Sequence, residues 1–221
     1  MRVKTDEKRQ EIVAVAREVF REKGYAAASM AEISGRLGGS KGTLYSYFTS
    51  KEELFVAVML EMSQRSAGSM LSELEQAVDM KAVLPKFMHK LIALLCSDEL
   101  VDFRRMLISE AGRSRLGKLV YEQGPGRYVE KFADLFAAQM RLGHFRNVDP
   151  RQASVHMQSL CLGGLVQWLL EGVIDRPSNE EIATAAHAAA DVFLRAYALD
   201  PPAARRLHKS TKRKRRSPAP V

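Results

Sequence analysis

Residues 30–54 read "MAEISGRLGGSKGTLYSYFTSKEEL" and contain two short helix signals on either side of a glycine pair. Ser29 precedes the first signal and Glu32 stands three residues later, a capping-box pattern that predicts a helix start. Glycines at 38–39 interrupt that helix, and Ser40 is a candidate N-cap for the next one, "KGTLYSYF". Two short helices joined by a few residues that include glycine predict a helix-turn-helix.

The helix after Ser40 combines an apolar side with a polar side. Leu44 and Phe48 lie four residues apart, so they share one face and can pack against neighbouring helices. The polar side carries hydroxyl and ammonium groups. Such groups supply many of the phosphate contacts in DNA complexes. Thr43 lies near the N-terminus of the helix, the part of a recognition helix that usually reaches base edges. Gly42 offers no side chain to obstruct the approach of the backbone. The segment is therefore suited to a polyanionic groove.

The remaining sequence predicts helices and almost no strand. Apolar residues recur at helical spacing over 6–23, where Gly24 stops the pattern, and a second capping-box pattern at Ser50 and Glu53 opens a long amphipathic helix. Further helical patterns cover 80–96, 99–114, 116–141, 149–173 and 178–199, with a kink or break expected at 124–126 and a further capping box at the start of the last. We therefore expect an all-α protein of about nine helices.

Charge and composition divide the chain into three parts. We expect a helix-turn-helix domain at 1–53, a larger helical domain at 54–200 and a disordered basic tail at 201–221. The tail carries eight cations and no acid, so the rest of the chain has 34 − 8 = 26 cations against 26 acids and is neutral. Residues 1–51 hold ten Lys or Arg against six Asp or Glu, an excess of four. The tail is either a second electrostatic contact with DNA or a solvated end.

Several function classes are disfavoured. No apolar run reaches the roughly 18 residues that a membrane helix needs, and no apolar segment follows the charges at the start, so a cytoplasmic protein without a membrane partner is expected. The five histidines lack metal-ligand spacing, and the two cysteines are expected to be buried thiols. "GRLGGSKGT" resembles a phosphate-binding loop, but Ser40 stands where glycine is required and Gly42 where Ser or Thr should be. We predict no cofactor, no metal and no enzymatic activity.

The stretch 30–54, with "IVAVAREVFREKG" before it, resembles the DNA-binding signature of the TetR/AcrR family of transcriptional regulators over about residues 8–58. The closest agreement is at Ile33, Gly38, Ser40, Lys41, Gly42, Thr43, Leu44, Tyr45, Tyr47, Phe48, Lys51, Glu52 and Leu54. Two positions depart from the pattern. Leu37 stands where the family usually has a small residue, and Gly39 stands where it usually has valine, which removes an apolar contact at the turn.

This resemblance implies an all-helical homodimer that binds double-stranded operator DNA and is released from it by a small-molecule effector. It implies that Thr43 and Tyr45 approach bases, while Tyr47 and Lys51 hold phosphates. The predicted DNA-binding residues are Ser29, Ser40, Lys41, Gly42, Thr43, Tyr45, Tyr47 and Lys51. The later half is similar to the AefR-like C-terminal domains of the family, in "FRRMLISEAGR", "YEQGPGRYVEKFADLFAAQMRLGHFR" and "DPRQASVHMQSLCLGGL".

Apolar and aromatic residues of the later half are candidates for an effector pocket, although helical apolar stripes are also typical of an ordinary core. The candidates are Phe103, Met106, Tyr121, Tyr128, Phe132, His156 and Trp168. The last two long helices are the expected dimer seam, where Gly163 and Gly164 would permit close approach of backbones. We therefore predict a transcriptional repressor. An activator is the alternative within the class, and a helical enzyme or ligand-binding module without DNA function is the alternative outside it.

Overall fold

The structure is a computed structural model that describes residues 5–77 and 79–199, without the side chains of 64–69. The basic tail at 201–221, for which the sequence predicts disorder, lies outside the described residues.

Eleven α-helices make up most of the described ranges. They are α1 (Asp6–Ala27), α2 (Met30–Arg36), α3 (Lys41–Tyr47), α4 (Lys51–Glu75), α5 (Met80–Leu95), α6 (Asp98–Ser109), α7 (Leu116–Gln123), α8 (Pro125–Arg141), α9 (Pro150–Leu162), α10 (Leu165–Glu171) and α11 (Asn179–Tyr197). Within these ranges, β pairing is limited to one isolated bridge between Phe145 and Ala198. The prediction of an all-α protein is confirmed.

The helix count exceeds the predicted nine because two predicted helices are each divided. The break at Gly124, between α7 and α8, is the one expected from the sequence. The break between α9 and α10 was not expected. Gly164 has a φ of 60°, in the left-handed region where residues with a Cβ are strained. The pair Gly163 and Gly164 therefore ends one helix and starts another.

The three predicted capping boxes have different outcomes. Each serine accepts a hydrogen bond from the backbone N–H three residues on, but only the box at Ser178 is reciprocal. The Glu32 carboxylate instead pairs with Lys23 at 2.6 Å. The Glu53 carboxylate accepts hydrogen bonds from the backbone N–H and the hydroxyl of Thr49, one residue before the cap. The helix starts are as predicted, and two of the glutamates have other partners.

The apolar residues form two clusters. The N-terminal core joins buried residues of α1 to α3 and the first half of α4, and α6 and α7 contribute Leu100, Phe103, Leu116 and Val120 to it. The C-terminal core joins the end of α4 to α5, α8, α9, α10 and α11. Helix α4 therefore belongs to both cores. The boundary expected at 53/54 lies just inside the start of α4, but apolar packing continues across it.

No helix in the described part of the chain has the length and apolar character needed to cross a membrane. Cys96 and Cys161 are buried and not joined in a disulfide, which agrees with the expectation of buried thiols.

Candidate nucleic-acid interface and internal cavity

Helix α3 is held by the apolar face that the sequence predicts. The side chain of Leu44 is 0% exposed and Phe48 is fully buried, and both belong to the N-terminal core with residues of α1 and α2. The guanidinium carbon of Arg9 lies 5.1 Å from the centre of the Phe48 ring. Burial of these two anchors leaves the opposite side of α3 directed away from the core.

The outward side of α3 carries hydroxyl groups that already bind one another. The Ser40 hydroxyl accepts a hydrogen bond from the backbone N–H of Thr43 at 3.2 Å, and the two hydroxyl oxygens lie 3.0 Å apart. Ser46 donates to the Thr43 carbonyl at 2.7 Å. Lys41 and Tyr45 are exposed beside them. The exposed side therefore presents hydroxyl groups whose positions are set by contacts within α3 and its cap.

The turn between α2 and α3 depends on Gly38 rather than on Gly39. Gly38 has a φ of 63°, a conformation that strongly favours glycine. A Cβ at Gly39 would meet no other atom within 4 Å. Leu37 is half-buried and packs against the N-terminal core. The leucine therefore covers apolar surface at this turn, and the space around Gly39 is open.

Tyr47 connects the end of α3 to the start of α1. Its hydroxyl accepts a hydrogen bond from the backbone N–H of Thr5 at 2.9 Å, and the side chain is half-buried. Thr5 is itself the N-cap of α1 and accepts a hydrogen bond from the Lys8 N–H. Ser29, at the start of α2, is exposed and caps its own helix. Both predicted contact residues therefore lie next to helix starts.

Lys51 is directed toward the turn between α1 and α2. Its ammonium donates to the carbonyls of Tyr25 at 2.8 Å and Ala28 at 3.0 Å, with Ala26 at 3.4 Å. The same nitrogen lies 4.3 Å from the centre of the Tyr25 ring, and burial raises the pKa of Tyr25, which keeps that ring neutral. A lysine ammonium has three donors. The predicted phosphate contact of Lys51 stays a prediction, and the structure gives this residue an anchoring role as well.

Ion pairs hold α2 against α1. Arg36 contacts the Glu22 carboxylate at 2.6 Å, and Lys23 contacts Glu32 at the same distance. These hydrogen bonds hold the pKa of Glu22 and of Glu32 below the ordinary value for glutamate. Exposed pairs of this kind add little stability. Their effect is on geometry, because they fix the position of α2, and α2 packs against α3.

A cavity of about 220 Å³ lies between the helices of the larger domain. Its walls are mainly apolar, with a few polar groups among them. The lining residues are Met59, Leu60, Ser63 and Met70 of α4, Phe87, Leu91, Leu94 and Leu95 of α5, Leu100, Arg104 and Leu107 of α6, Val120 of α7, Gly124, Pro125, Tyr128 and Phe132 at and after the α7–α8 break, and Gln158, Cys161 and Leu162 of α9. A concave, apolar site with few polar groups is typical of small-molecule binding.

Two of the seven predicted pocket residues, Tyr128 and Phe132, line this cavity. Phe103 and Met106 do not line it and face the N-terminal core instead. Phe103 is 0% exposed, and the centre of its ring lies 5.4 Å from the centre of the Phe55 ring. Both residues lie on the side of α6 that packs against α1 and α4, so an apolar stripe that looked like a pocket wall is core.

The other three pocket candidates do not line this cavity either and lie on the surface, so an effector role for them stays a prediction. Tyr121 is exposed, and Trp168 is 50% exposed. The Nδ1 atom of His156 lies 2.5 Å from the hydroxyl of Tyr197, on the outer side of α9 and α11. Aromatic composition cannot distinguish an inward from an outward position, because both satisfy helical spacing.

Sequence reasoning missed Arg104, the charged member of the cavity wall. Leu100, Arg104 and Leu107 stand at i, i+4 and i+7 and therefore share a helix face. A cation within such an apolar stripe was the available signal. Among the described residues, no group of three or more His, Cys, Asp or Glu side chains is placed to hold a metal ion.

Comparison with known families matches two parts of the chain. Residues 12–58 match the model described as bacterial regulatory proteins, tetR family. Residues 82–199 match the model described as AefR-like transcriptional repressor, C-terminal domain. The second match covers more than half of the chain, and together they span both cores.

Individual relatives agree with these matches. The chain is 43% identical over 77 residues to the transcriptional activator FasR of Mycolicibacterium smegmatis, which is 35% of this chain and 33% of FasR. It is 30% identical over 100 residues to HdnoR, a nicotine-responsive transcriptional repressor of Paenarthrobacter nicotinovorans, covering 45% of this chain and 52% of HdnoR. The matches thus span about a third and about half of these relatives' lengths. A crystal structure of a Mesorhizobium loti protein assigned to the TetR family superposes with a TM-score of 0.77 at 32% identity, over 89% of this chain and 100% of the other.

Proposed function

This chain belongs to the TetR family of bacterial regulatory proteins, and we propose that it is a sequence-specific DNA-binding repressor that a small-molecule effector releases from its operator. The observation that carries the proposal is the geometry of α3, which buries Leu44 and Phe48 and presents hydroxyl and cationic groups outward. The protein would act in the cytoplasm by binding alone, without catalysis. DNA reading is assigned to residues 1–53, and effector binding and dimerisation to 54–200.

The outward side of α3 supplies the proposed contacts with DNA. Thr43 and Tyr45 would reach base edges, because they lie on the helix that a helix-turn-helix inserts in the major groove. The remaining predicted residues would contact the sugar–phosphate backbone, which receives most hydrogen bonds in such complexes. They are Ser29, Ser40, Lys41, Gly42, Tyr47 and Lys51.

We expect Thr43→Ala to relax discrimination at one base position in each half-site. The expected loss is about 1–3 kcal/mol on the preferred operator and little on scrambled DNA. Gel-shift titration against the intergenic DNA upstream of the gene, and against a scrambled fragment, measures both. Ser109→Ala, which removes an exposed hydroxyl on α6 away from the proposed DNA and dimer surfaces, is the control. Equal discrimination by the Thr43 variant and the wild type, with the fold intact, would remove Thr43 from the reading surface. Failure of the wild type to prefer its own upstream DNA would contradict the proposed function.

A homodimer is part of the proposal. One helix-turn-helix reads only a half-site, and a two-fold dimer places two of them about 34–36 Å apart. Large apolar side chains are exposed on α9, α10 and α11, namely Val155, Trp168 and Val192, and such surface marks interaction sites when it is contiguous. Sedimentation at micromolar concentration should give twice the chain mass of 24.7 kDa. A monomer that still binds the operator tightly would contradict this proposal.

Two helices would transmit effector binding to α3. Helix α4 lines the cavity with Met59 and Leu60, and its first residue, Lys51, binds the turn before α2. Helix α6 lines the cavity with Arg104 and packs Phe103 into the N-terminal core. An effector that binds one arrangement of these helices better than the other would shift the equilibrium by that difference in affinity.

The choice of a repressor over an activator follows the AefR-like description of the C-terminal domain. FasR is an activator and HdnoR a repressor. Both outcomes use the same contact surface, so the direction of regulation depends on where the operator lies relative to the promoter.

A further inference from the structure

We propose that the effector is a small amphipathic acid whose single carboxylate binds Arg104 inside the cavity, while its apolar tail fills the rest. This inference rests on the proposed function, since it names the chemical class of ligand for the cavity already described. It is carried by one charged group, Arg104, whose buried nitrogen has no partner among the residues that the structure describes.

Arg104 is half-buried, and its guanidinium is incompletely satisfied. Its Nη1 atom is shielded from solvent and has no hydrogen-bond partner in the described part of the chain. Burial lowers the pKa of Arg104 from its ordinary value, and a weaker effect of Cys96 opposes this. The group stays charged at neutral pH, because an arginine pKa is far above that range. An unpaired charge that is partly removed from water is unfavourable.

The cavity wall contains nothing that could neutralise this cation. Its residues include no Asp or Glu, and the segment 64–69, whose side chains are not described, is free of acids too. Burial raises the pKa of the Cys161 thiol to about 12, and it also raises the pKa of Cys96. Both thiols are therefore neutral at physiological pH. A bound anion would supply the negative charge that the wall lacks.

The shape and chemistry of the cavity define the rest of the ligand. Apart from Arg104, the polar side chains of the wall are few, chiefly Ser63, Tyr128 and Gln158, and the remainder is apolar. The volume of about 220 Å³ is below the roughly 300–1,000 Å³ of sites that hold drug-sized molecules. A medium-length alkyl or arylalkyl acid is small enough for this volume and apolar enough for this wall. A nucleotide-bearing thioester carries several phosphates, and one arginine cannot neutralise them.

Calorimetric titration of the full chain tests this assignment. The acids are hexanoate, decanoate and 4-phenylbutyrate, each paired with the corresponding alcohol. At least one acid should bind the wild type about tenfold or more tightly than its alcohol, as expected when a charge-assisted hydrogen bond is lost. In Arg104→Met that preference should disappear. Arg113→Met, which removes an exposed arginine outside the cavity, should leave it unchanged.

A second readout does not depend on ligands. Replacing even a buried ion pair by apolar side chains of similar volume is often neutral or stabilising, and a charge without a partner has no pairing energy to lose. Ligand-free Arg104→Met should therefore melt at or above the wild-type temperature. A lower melting temperature would mean that the guanidinium has a structural partner, which would overturn the proposal. So would acids that bind no better than their alcohols, or acids that bind Arg104→Met as tightly as the wild type.

Gel shifts of the ligand-free wild type on its upstream DNA separate this inference from the proposed function. If the protein does not bind DNA, the regulatory proposal fails while the calorimetric result on Arg104 stands. If the protein binds DNA and the acids show no dependence on Arg104, the ligand class alone is wrong.

Discussion

Phe103→Ala should lower the free energy of unfolding by about 3–5 kcal/mol, the loss typical of truncating a buried phenylalanine. The side chain is 0% exposed, and the centre of its ring lies within 6.5 Å of the ring centres of Phe20 and Phe55. Truncation leaves a cavity where α6 meets α1 and α4. We expect weaker operator binding as a consequence, because the same core supports α3. Urea denaturation measured alongside gel shifts gives both quantities.

Ile108→Ala is the matched control on the same helix. Ile108 is 58% exposed, so its truncation should change stability by no more than about 0.5 kcal/mol. The alternative role for Phe103 is the one its sequence pattern suggested, a wall of the effector pocket. A Phe103→Ala variant as stable as the wild type but altered in effector affinity would restore that role.

Lys51→Met should lower the free energy of unfolding by about 1.5–3 kcal/mol, the range for hydrogen bonds to charged groups. Methionine keeps the apolar stem beside the Tyr25 ring and removes the donors that reach the carbonyls of Tyr25 and Ala28. The turn between α1 and α2 then loses its link to the start of α4. Operator affinity should fall because α2, which packs against α3, is then held less firmly in place.

Lys41→Met separates anchoring from phosphate binding. Lys41 is exposed at the start of α3, so its loss should leave the melting temperature unchanged and reduce the slope of binding against salt by about one. If Lys51→Met gives this same pattern, with normal stability and only a shallower salt dependence, Lys51 is a phosphate contact and the carbonyl contacts are incidental.

The helix-turn-helix could be predicted because its signals are local. Ser29, Ser40 and Ser50 cap the helices that they were expected to cap, since an N-cap hydroxyl binds a backbone N–H only three residues away. The pair Leu44 and Phe48 is buried as predicted, because positions four apart always share a helix face. Neither feature requires knowledge of where distant segments lie.

The cavity could not be predicted in the same way. Phe103 and Arg104 are neighbours in sequence, and adjacent helical residues point about 100° apart, so one enters the N-terminal core and the other the cavity. Periodicity identifies the faces of α6 but not the helix that each face meets. The exposed positions of Tyr121 and Trp168 have the same explanation.

The sequence by itself determined the all-α class, the helix starts and the buried face of α3, because hydrogen bonds and side-chain spacing within one or two turns specify them. The tertiary structure alone decided that Lys51 binds carbonyls 23 to 26 residues earlier in the chain. It also decided that the Nη1 atom of Arg104 is shielded from solvent and has no hydrogen-bond partner among the described residues. Both arrangements depend on the packing of α4 and α6 against helices distant in sequence, which is set by the complementarity of whole surfaces rather than by any local pattern.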